Sequence, residues 1–164
     1  MLQQFEQTRQ RFGGRHALID SWLSARKELL VRYCKLSGLP SIGDETIDDR
    51  ALPTREAVSE FCAMLMDYVS TGHFEVYERL IGSLEEGAQD AVRASAGRLY
   101  AQIVDSTDTV LAFDEAYGDG DAEELWPEFD VSLSRLGEAL ETRFEREDEL
   151  IALFDAEPAA VAAG

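Results

Sequence analysis

The stretch DYVSTGHFEVYE, from Asp67 to Glu78, places one of the chain's two histidines among acids and aromatic residues. On a helix, His73 and Tyr77 form an i, i+4 pair, and Asp67, Thr71 and Glu78 share one face. Such a set could bind a metal, move a proton, lock a helical bundle through a polar layer, or present a surface to another protein.

Metal and catalytic chemistry find little support in the spacing of these residues. Di-metal helical bundles use Glu-x-x-His pairs, whereas Ser70 precedes His73 by three residues and Gly13 precedes His16 by three. No nucleophile elbow, phosphate-binding loop or CxxC motif occurs, and Cys34 and Cys62 are isolated. We therefore predict no enzyme, metal ligand or cofactor. A hemerythrin-like bundle that binds a metal or ligand and acts as a sensor is the alternative.

Two other segments carry a similar mixture of charged and aromatic residues. Trp22 and Arg26 lie together near the N-terminal end, and acidic residues flank Phe144 near the C-terminal end. Acids and bases from several helices could therefore meet in a bundle interior or along a groove. In the simplest interpretation, His73 is a hydrogen-bonded histidine in a polar layer that keeps helices in register.

The elements that must position these residues are helices. Apolar residues recur with a helical period, and Gly13-Gly14 and Gly38-Leu39-Pro40 mark breaks. A short helix over residues 2–11 precedes four long ones. The long helices are predicted over residues 16–36, 54–84, 88–117 and 130–156. We predict an all-α fold, an antiparallel four-helix bundle with short accessory helices, as one domain over residues 1–157 with a disordered tail at 158–164.

Gly72 is the weak point of the second long helix. A mid-helix glycine costs about 1 kcal/mol relative to alanine. The apolar residues on both sides nevertheless keep one register, which favours a continuous helix; a kink at Gly72 is the alternative. These residues are Leu65, Val69, Val76 and Leu80.

Charge narrows the class of partner. The net charge is −18, with +4 on residues 1–36 and −22 on residues 37–164. Such a body repels nucleic acid and anionic membranes and attracts a basic protein surface. Solubility or a salt-adapted organism would also explain the acidity. No stretch has the length and apolarity of a transmembrane or signal segment, so we expect a cytoplasmic protein.

Three segments resemble the Rsd/AlgQ family of bacterial anti-sigma factors. They are LIDSWLSARKELLVRY at 18–33, FCAMLMDYVSTGHFEVYERL at 61–80 and LGEALETRFEREDELI at 136–151. The runs DY-x-S-x-GHF-x-x-YE and RFE-x-ED-x-L are the specific parts, and MLQQFEQTRQRFGG is also similar. Thr71 stands where the family usually has alanine, and residues 81–130 match only in character.

The resemblance implies a helical bundle that binds the primary sigma factor of RNA polymerase, chiefly at region 4 and also at region 2. By sequestering it, such a protein modulates transcription and favours alternative sigma factors in stationary phase. A phosphotransferase carrier protein is a partner of some members.

Within the matched segments, Asp67 matches the family's acidic position before the GHF run and is the first candidate contact. Charged residues are expected to make contacts, whereas Trp22 and Phe74 are expected to be core. The candidate partner-binding residues are Asp67, Trp22, Arg26, Tyr68, His73, Phe74, Tyr77, Glu78, Glu141, Phe144, Glu145 and Asp148.

Overall fold

A computed structural model describes residues 1–12, 16–38, 53–119 and 126–156. None of these residues lies in a β-strand, so the predicted all-α class is confirmed. The elements are α1 (Leu2–Phe12), α2 (Ala17–Leu36), α3 (Arg55–Thr71), a π-helical turn (Gly72–Tyr77), α4 (Glu78–Gly87), α5 (Asp90–Asp105), α6 (Thr107–Tyr117) and α7 (Trp126–Ala156). Most of the predicted connection after residue 38 and the tail at 158–164 lie outside the described residues.

Local chemistry fixes several helix starts. Thr54 caps α3, because its hydroxyl oxygen accepts a hydrogen bond from the Ala57 N–H at 3.1 Å. His16 caps α2 in the same way, with Nδ1 accepting from the Leu18 N–H at 3.2 Å. Pro127 is the second residue of α7, where its missing N–H costs no helical hydrogen bond.

The predicted helix over residues 88–117 is wrong in one respect, because the structure divides it at Ser106. The Ser106 hydroxyl donates to the Ile103 carbonyl at 2.6 Å, and Arg143 of α7 donates to Ser106 Oγ at 3.0 Å. These bonds satisfy polar groups that a break in the helix leaves open. The break is therefore bonded both within its own segment and to another helix.

The helical run through Gly72 is continuous, but not as an ordinary α-helix. Residues Gly72–Tyr77 form a π turn between α3 and α4. The apolar residues expected to share one register are all buried: Leu65, Val69, Val76 and Leu80.

The core forms around α7, which packs against α1, α4, α5 and α6. On the other side, α3 packs against α2 and α6, and α2 also contacts α1 and the π turn. Fully buried leucines such as Leu29, Leu65 and Leu136 fill the space between them. Each such side chain contributes roughly 2 kcal/mol through its removal from water. No helix in the described ranges is long and apolar enough to span a membrane.

Candidate functional site

Two arginines and one glutamate lie on the apolar faces of their helices. Arg26 of α2 is 1% exposed, and Arg143 and Glu147 of α7 are 0% exposed. A buried charge is tolerated only where partners replace the lost water. These side chains therefore need an extensive set of contacts, and together with Tyr68, Tyr77, His73 and Asp148 they form what we call the buried polar layer.

Glu147 is the centre of this layer. Its Oε1 accepts hydrogen bonds from the Tyr77 hydroxyl and from Arg143 Nε, the latter at 3.0 Å. Its Oε2 accepts from the Tyr68 hydroxyl at 2.5 Å and from Arg26 Nη2 at 2.9 Å. Four donors thus fill the acceptor sites of a carboxylate, which explains how the charge is accommodated in the core.

Arg26 joins Glu147 to Asp148 and lies between two aromatic rings. Its Nη1 contacts Asp148 Oδ1 at 2.6 Å, and its guanidinium carbon lies 4.9 Å from the Phe144 ring centroid and 5.4 Å from the Trp22 ring. Burial alone would lower the pKa of Arg26, but the Tyr68 and carboxylate neighbours outweigh it and raise that pKa. Arg26 therefore stays charged at every physiological pH.

Arg143 connects the layer to the break between α5 and α6 and to the π turn. Its Nη1 donates to Ser106 and Thr107, and its Nη2 lies 3.2 Å from Tyr77 Oη and 3.1 Å from His73 Nε2. A guanidinium has no acceptor, so His73 Nε2 must accept, which places the proton of a neutral ring on Nδ1. Burial first, and then the Arg143 charge, lower the pKa of His73.

The titration of these groups argues against acid–base chemistry at neutral pH. Burial raises the pKa of Tyr68 and of Tyr77 well above 10, and the nearby Glu147 raises both further. The layer also balances two arginines against Glu147 and Asp148. Its hydrogen bonds and ion pairs connect α2, α3, the π turn and α7, so the role of the layer is structural.

The outer surface above this layer carries a regularly spaced row of exposed residues. They lie three or four positions apart along α3, the π turn and α4, and each of them is exposed. We call this row the acidic stripe. It consists of Glu56, Glu60, Ala63, Asp67, Ser70, Phe74 and Glu78. The expectation that Phe74 lies in the core is wrong, because Phe74 is 75% exposed.

A groove between α2 and α3 borders the stripe. Its exposed acids are Glu28, Glu60 and Asp67, and its lining also includes the buried rings of Trp22 and Tyr68. Arg32 contacts Glu60 across the groove at 3.4 Å, with both side chains largely exposed. The groove therefore combines carboxylates at the surface with aromatic residues beneath.

The remaining predicted acids lie on another side, where α1 packs against α7. The N-terminal ammonium of Met1 lies 3.4 Å from Glu141, and Gln4 lies 3.5 Å from Glu145. The Thr8 hydroxyl donates to Asp148 Oδ2 at 2.5 Å. These carboxylates thus have partners within the chain.

The structure sorts the twelve predicted residues into three places. Asp67, Phe74 and Glu78 are exposed on the stripe, whereas Glu141 and Glu145 face α1, and Asp148 joins α1 to the buried polar layer. The other six lie in or against the buried polar layer: Trp22, Arg26, Tyr68, His73, Tyr77 and Phe144.

Glu147, Arg143 and Thr8 were missed by the sequence interpretation. One signal was available for the first two. In α7 the buried apolar positions leave a gap in their helical period, and Arg143 and Glu147, an i, i+4 pair, fill it. Polar residues on an apolar stripe must find partners in the core.

The described residues contain no group of three or more His, Cys, Asp or Glu side chains arranged to hold a metal ion. Cys34 and Cys62 are buried free thiols, and burial raises the pKa of Cys62 to about 12. Trp22 Nε1 is the one buried side-chain polar atom among the described residues that lacks a hydrogen-bond partner.

Comparison with known proteins gives a consistent result. The family model described as "Regulator of RNA polymerase sigma(70) subunit, Rsd/AlgQ" matches residues 1–155. A protein named Regulator of sigma D from Yersinia enterocolitica is 42% identical over 154 residues, covering 92% of this chain and 88% of the relative. A protein of the same name from an Enterobacter strain is 40% identical over 154 residues, covering 93% and 89%. The chain therefore belongs to the Rsd/AlgQ family of regulators of the RNA polymerase sigma(70) subunit.

Proposed function

We propose that this protein binds the primary sigma factor of RNA polymerase one-to-one, without catalysis, and modulates transcription by sequestering it. The acidic stripe is the observation that carries the proposal. Four of its seven residues are acids, and Phe74 provides an exposed apolar side chain among them. Charge complementarity speeds encounter with a basic partner, and a buried aromatic anchor supplies affinity.

The dimensions of the stripe suit a DNA-binding module. From Glu56 to Glu78 it spans 22 residue steps, or about 33 Å at 1.5 Å per residue. Region 4 of the sigma factor, which the family resemblance indicates, reads DNA with a basic helix-turn-helix surface. Occupying that surface would compete with promoter DNA, and region 2 is a further contact in the proposal. Because the polymerase is cytoplasmic, the proposed function is exercised there.

The proposal assigns different roles to the candidate residues. Asp67, Phe74 and Glu78 contact the partner directly. Glu141 and Glu145 form a second acidic area beside α1, and Asp148 supports that area by holding α1 to the buried polar layer. The buried residues support the stripe from below: Trp22, Arg26, Tyr68, His73, Tyr77 and Phe144. No feature of the described surface favours a phosphotransferase carrier protein as another partner.

We also propose that the domain spans residues 1–157 and that its long helices form an antiparallel four-helix arrangement. The contacts of α2 with α3, α3 with α6, and α7 with both α5 and α6 support this arrangement.

Asp67→Ala tests the contact surface. We expect affinity for the primary sigma factor of the same organism to fall at least about tenfold, since removing one partner of a desolvated charge pair costs about 2 kcal/mol or more. Titration calorimetry measures the affinity, and thermal melting should remain nearly unchanged because Asp67 is exposed.

Asp130→Ala, which removes an exposed acid of α7, is the matched control and should bind like the wild type. If the two variants bind with equal affinity, Asp67 is not part of the contact with the sigma factor. Absence of binding by the wild-type protein would overturn the proposed function.

A further inference from the structure

The π turn changes the helical register under the acidic stripe. The backbone stays helical on both sides, with φ and ψ of −59° and −43° at Thr71 and −58° and −42° at Glu78. A π turn adds one residue relative to an α-helix, so positions after it are rotated by about 100° from their α-helical direction. Such turns are rare and concentrate at functional sites, so this one needs a specific physical cause.

The first part of the explanation for the π turn is the fixed position of Tyr77. Its ring is fully buried, and its hydroxyl donates to Glu147 Oε1 while accepting from Arg143 Nη2 at 3.2 Å. Glu147 is held by three further donors from α2, α3 and α7. The core therefore fixes the Tyr77 hydroxyl at one point, and the helix must adapt to it.

The second part of the explanation is the space that Gly72 leaves beside Tyr77. A Cβ atom at Gly72 would lie 2.8 Å from Tyr77 Oη and 3.0 Å from Cζ, so the tyrosine occupies the space that any other residue would need. Gly72 has φ of −54°, so glycine is required here for room and not for a left-handed backbone. The two residues are five apart, which is the spacing that a π turn brings together.

The turn carries both buried and exposed side chains. Gly72, Val76 and Tyr77 are buried, whereas Phe74 is 75% exposed. Phe74 is the most exposed of the large apolar side chains in the described ranges. An exposed phenylalanine gains nothing in the free protein, whereas it can become an anchor when a partner covers it.

We propose that the contact of Tyr77 with Glu147 positions the sigma-binding surface by holding the π turn that carries Phe74, which fixes the direction of the exposed Phe74 side chain relative to Asp67. Tyr77, Glu147 and Gly72 are positioning residues, and Phe74 is the contact residue. This inference rests on the proposed function for the identity of the partner.

A double-mutant cycle between Phe74→Ala and Tyr77→Phe tests the inference, with calorimetric binding to the primary sigma factor as the measurement. Phe74→Ala alone should weaken binding about tenfold or more, as expected of an aromatic anchor. In the Tyr77→Phe background the same change should cost less than about threefold, because Phe74 is already misplaced.

Tyr33→Phe is the matched control background. It also removes a buried tyrosine hydroxyl, which here donates to the Leu133 carbonyl at 3.0 Å between α2 and α7. Phe74→Ala should keep its full effect in that background. The same loss in the wild-type, Tyr77→Phe and Tyr33→Phe proteins would overturn the inference, as would a Phe74→Ala protein that binds like the wild type.

Gly72→Ala provides a second route if Tyr77→Phe does not fold, since the new methyl group would crowd the Tyr77 hydroxyl. Gly82→Ala is its control, because nothing lies within 4 Å of a Cβ at that helical position. Gly72→Ala should reduce the effect of Phe74→Ala, whereas Gly82→Ala should leave it unchanged; an unchanged effect in both would contradict the inference.

Amide hydrogen exchange separates failure of the inference from failure of the proposed function. In the free protein, Tyr77→Phe should accelerate exchange at residues 72–77, and Tyr33→Phe should not. Unchanged exchange there would overturn the positioning role whatever the protein binds. Accelerated exchange in a protein that does not bind the sigma factor would overturn the proposed partner, but it would still support the role of Tyr77 in holding the π turn.

Discussion

At the scale of single residues, Glu147 shows how a charge becomes part of a core. Its two oxygens accept four hydrogen bonds from two arginines and two tyrosines, so desolvation is offset by donors already in place. The arginines in turn have aromatic and hydroxyl neighbours. Such a layer specifies how four segments of the chain fit together more sharply than apolar packing does.

His73 gives a pH prediction at this scale. Burial and Arg143 lower its folded pKa below 6.5, so below pH 6.5 the unfolded chain binds a proton that the folded protein does not. The contribution of neutral His73 is complete above pH 6.5 and is lost as pH falls through its folded pKa. Between pH 7 and 5.5, wild type should therefore lose more unfolding free energy than His73→Gln, by no more than about 1 kcal/mol because His73 is only half-buried.

Urea unfolding of the two proteins across this pH range checks that difference. The groups that face His73 are Arg143, Thr107, Tyr77 and Tyr100, and none of them is a carboxylate. Carboxylates elsewhere affect both proteins equally. If the free energies of unfolding of the two proteins change in parallel with pH, His73 does not contribute to the pH dependence of stability.

At the scale of elements, α7 organises the molecule and α1 closes one side of it. Phe5 and Thr8 are buried residues of α1, and Thr8 donates to the same Asp148 that pairs with Arg26. The short helix is thereby connected to the buried polar layer through one carboxylate. Nothing in the pattern of α1 indicated that contact, since Thr8 is an ordinary polar residue in the sequence.

Thr8→Val tests the attachment of α1. The substitution keeps the shape and removes the hydroxyl, so the free energy of unfolding should fall by about 1 kcal/mol. Amides of residues 2–12 should also exchange faster, because α1 loses its polar link to α7. Hydrogen exchange with mass spectrometry measures this, and Thr142→Val, on the exposed face of α7, is the control. Identical exchange of α1 in both variants would mean that the Thr8 hydroxyl does not help to hold the helix.

At the scale of the whole molecule, the net charge of −18 acts on folding and on binding in opposite directions. Repulsion among the acids destabilises the compact state, and salt screens it. The same acids attract a basic partner, and salt weakens that attraction. The buried polar layer is shielded from ions, so its contribution stays nearly constant.

Raising sodium chloride from about 0.05 M to 0.5 M shortens the electrostatic screening length from about 14 Å to 4 Å. We therefore expect the higher salt concentration to raise the melting temperature of the free protein and to weaken its binding to the sigma factor. Circular dichroism melts and titration calorimetry at the two salt concentrations measure the two effects. Binding that does not respond to salt would mean that the acidic stripe does not contribute charge to the contact.

The sequence alone determined the helical class, the inward apolar positions of the second long helix and the family, because each depends on local spacing or on matched residues. Tertiary structure decided the rest. Arg143 bonds to Ser106 at the break between α5 and α6, and the pairing that we propose to hold the π turn joins Tyr77 to Glu147, seventy residues apart. Phe74 was expected in the core because an aromatic residue beside apolar ones normally is, whereas the structure exposes it together with Ser70 and Asp67, four and seven residues earlier. A helical period reports which residues share a face, but a buried hydrogen bond between distant segments can change that period, and no local pattern contains it.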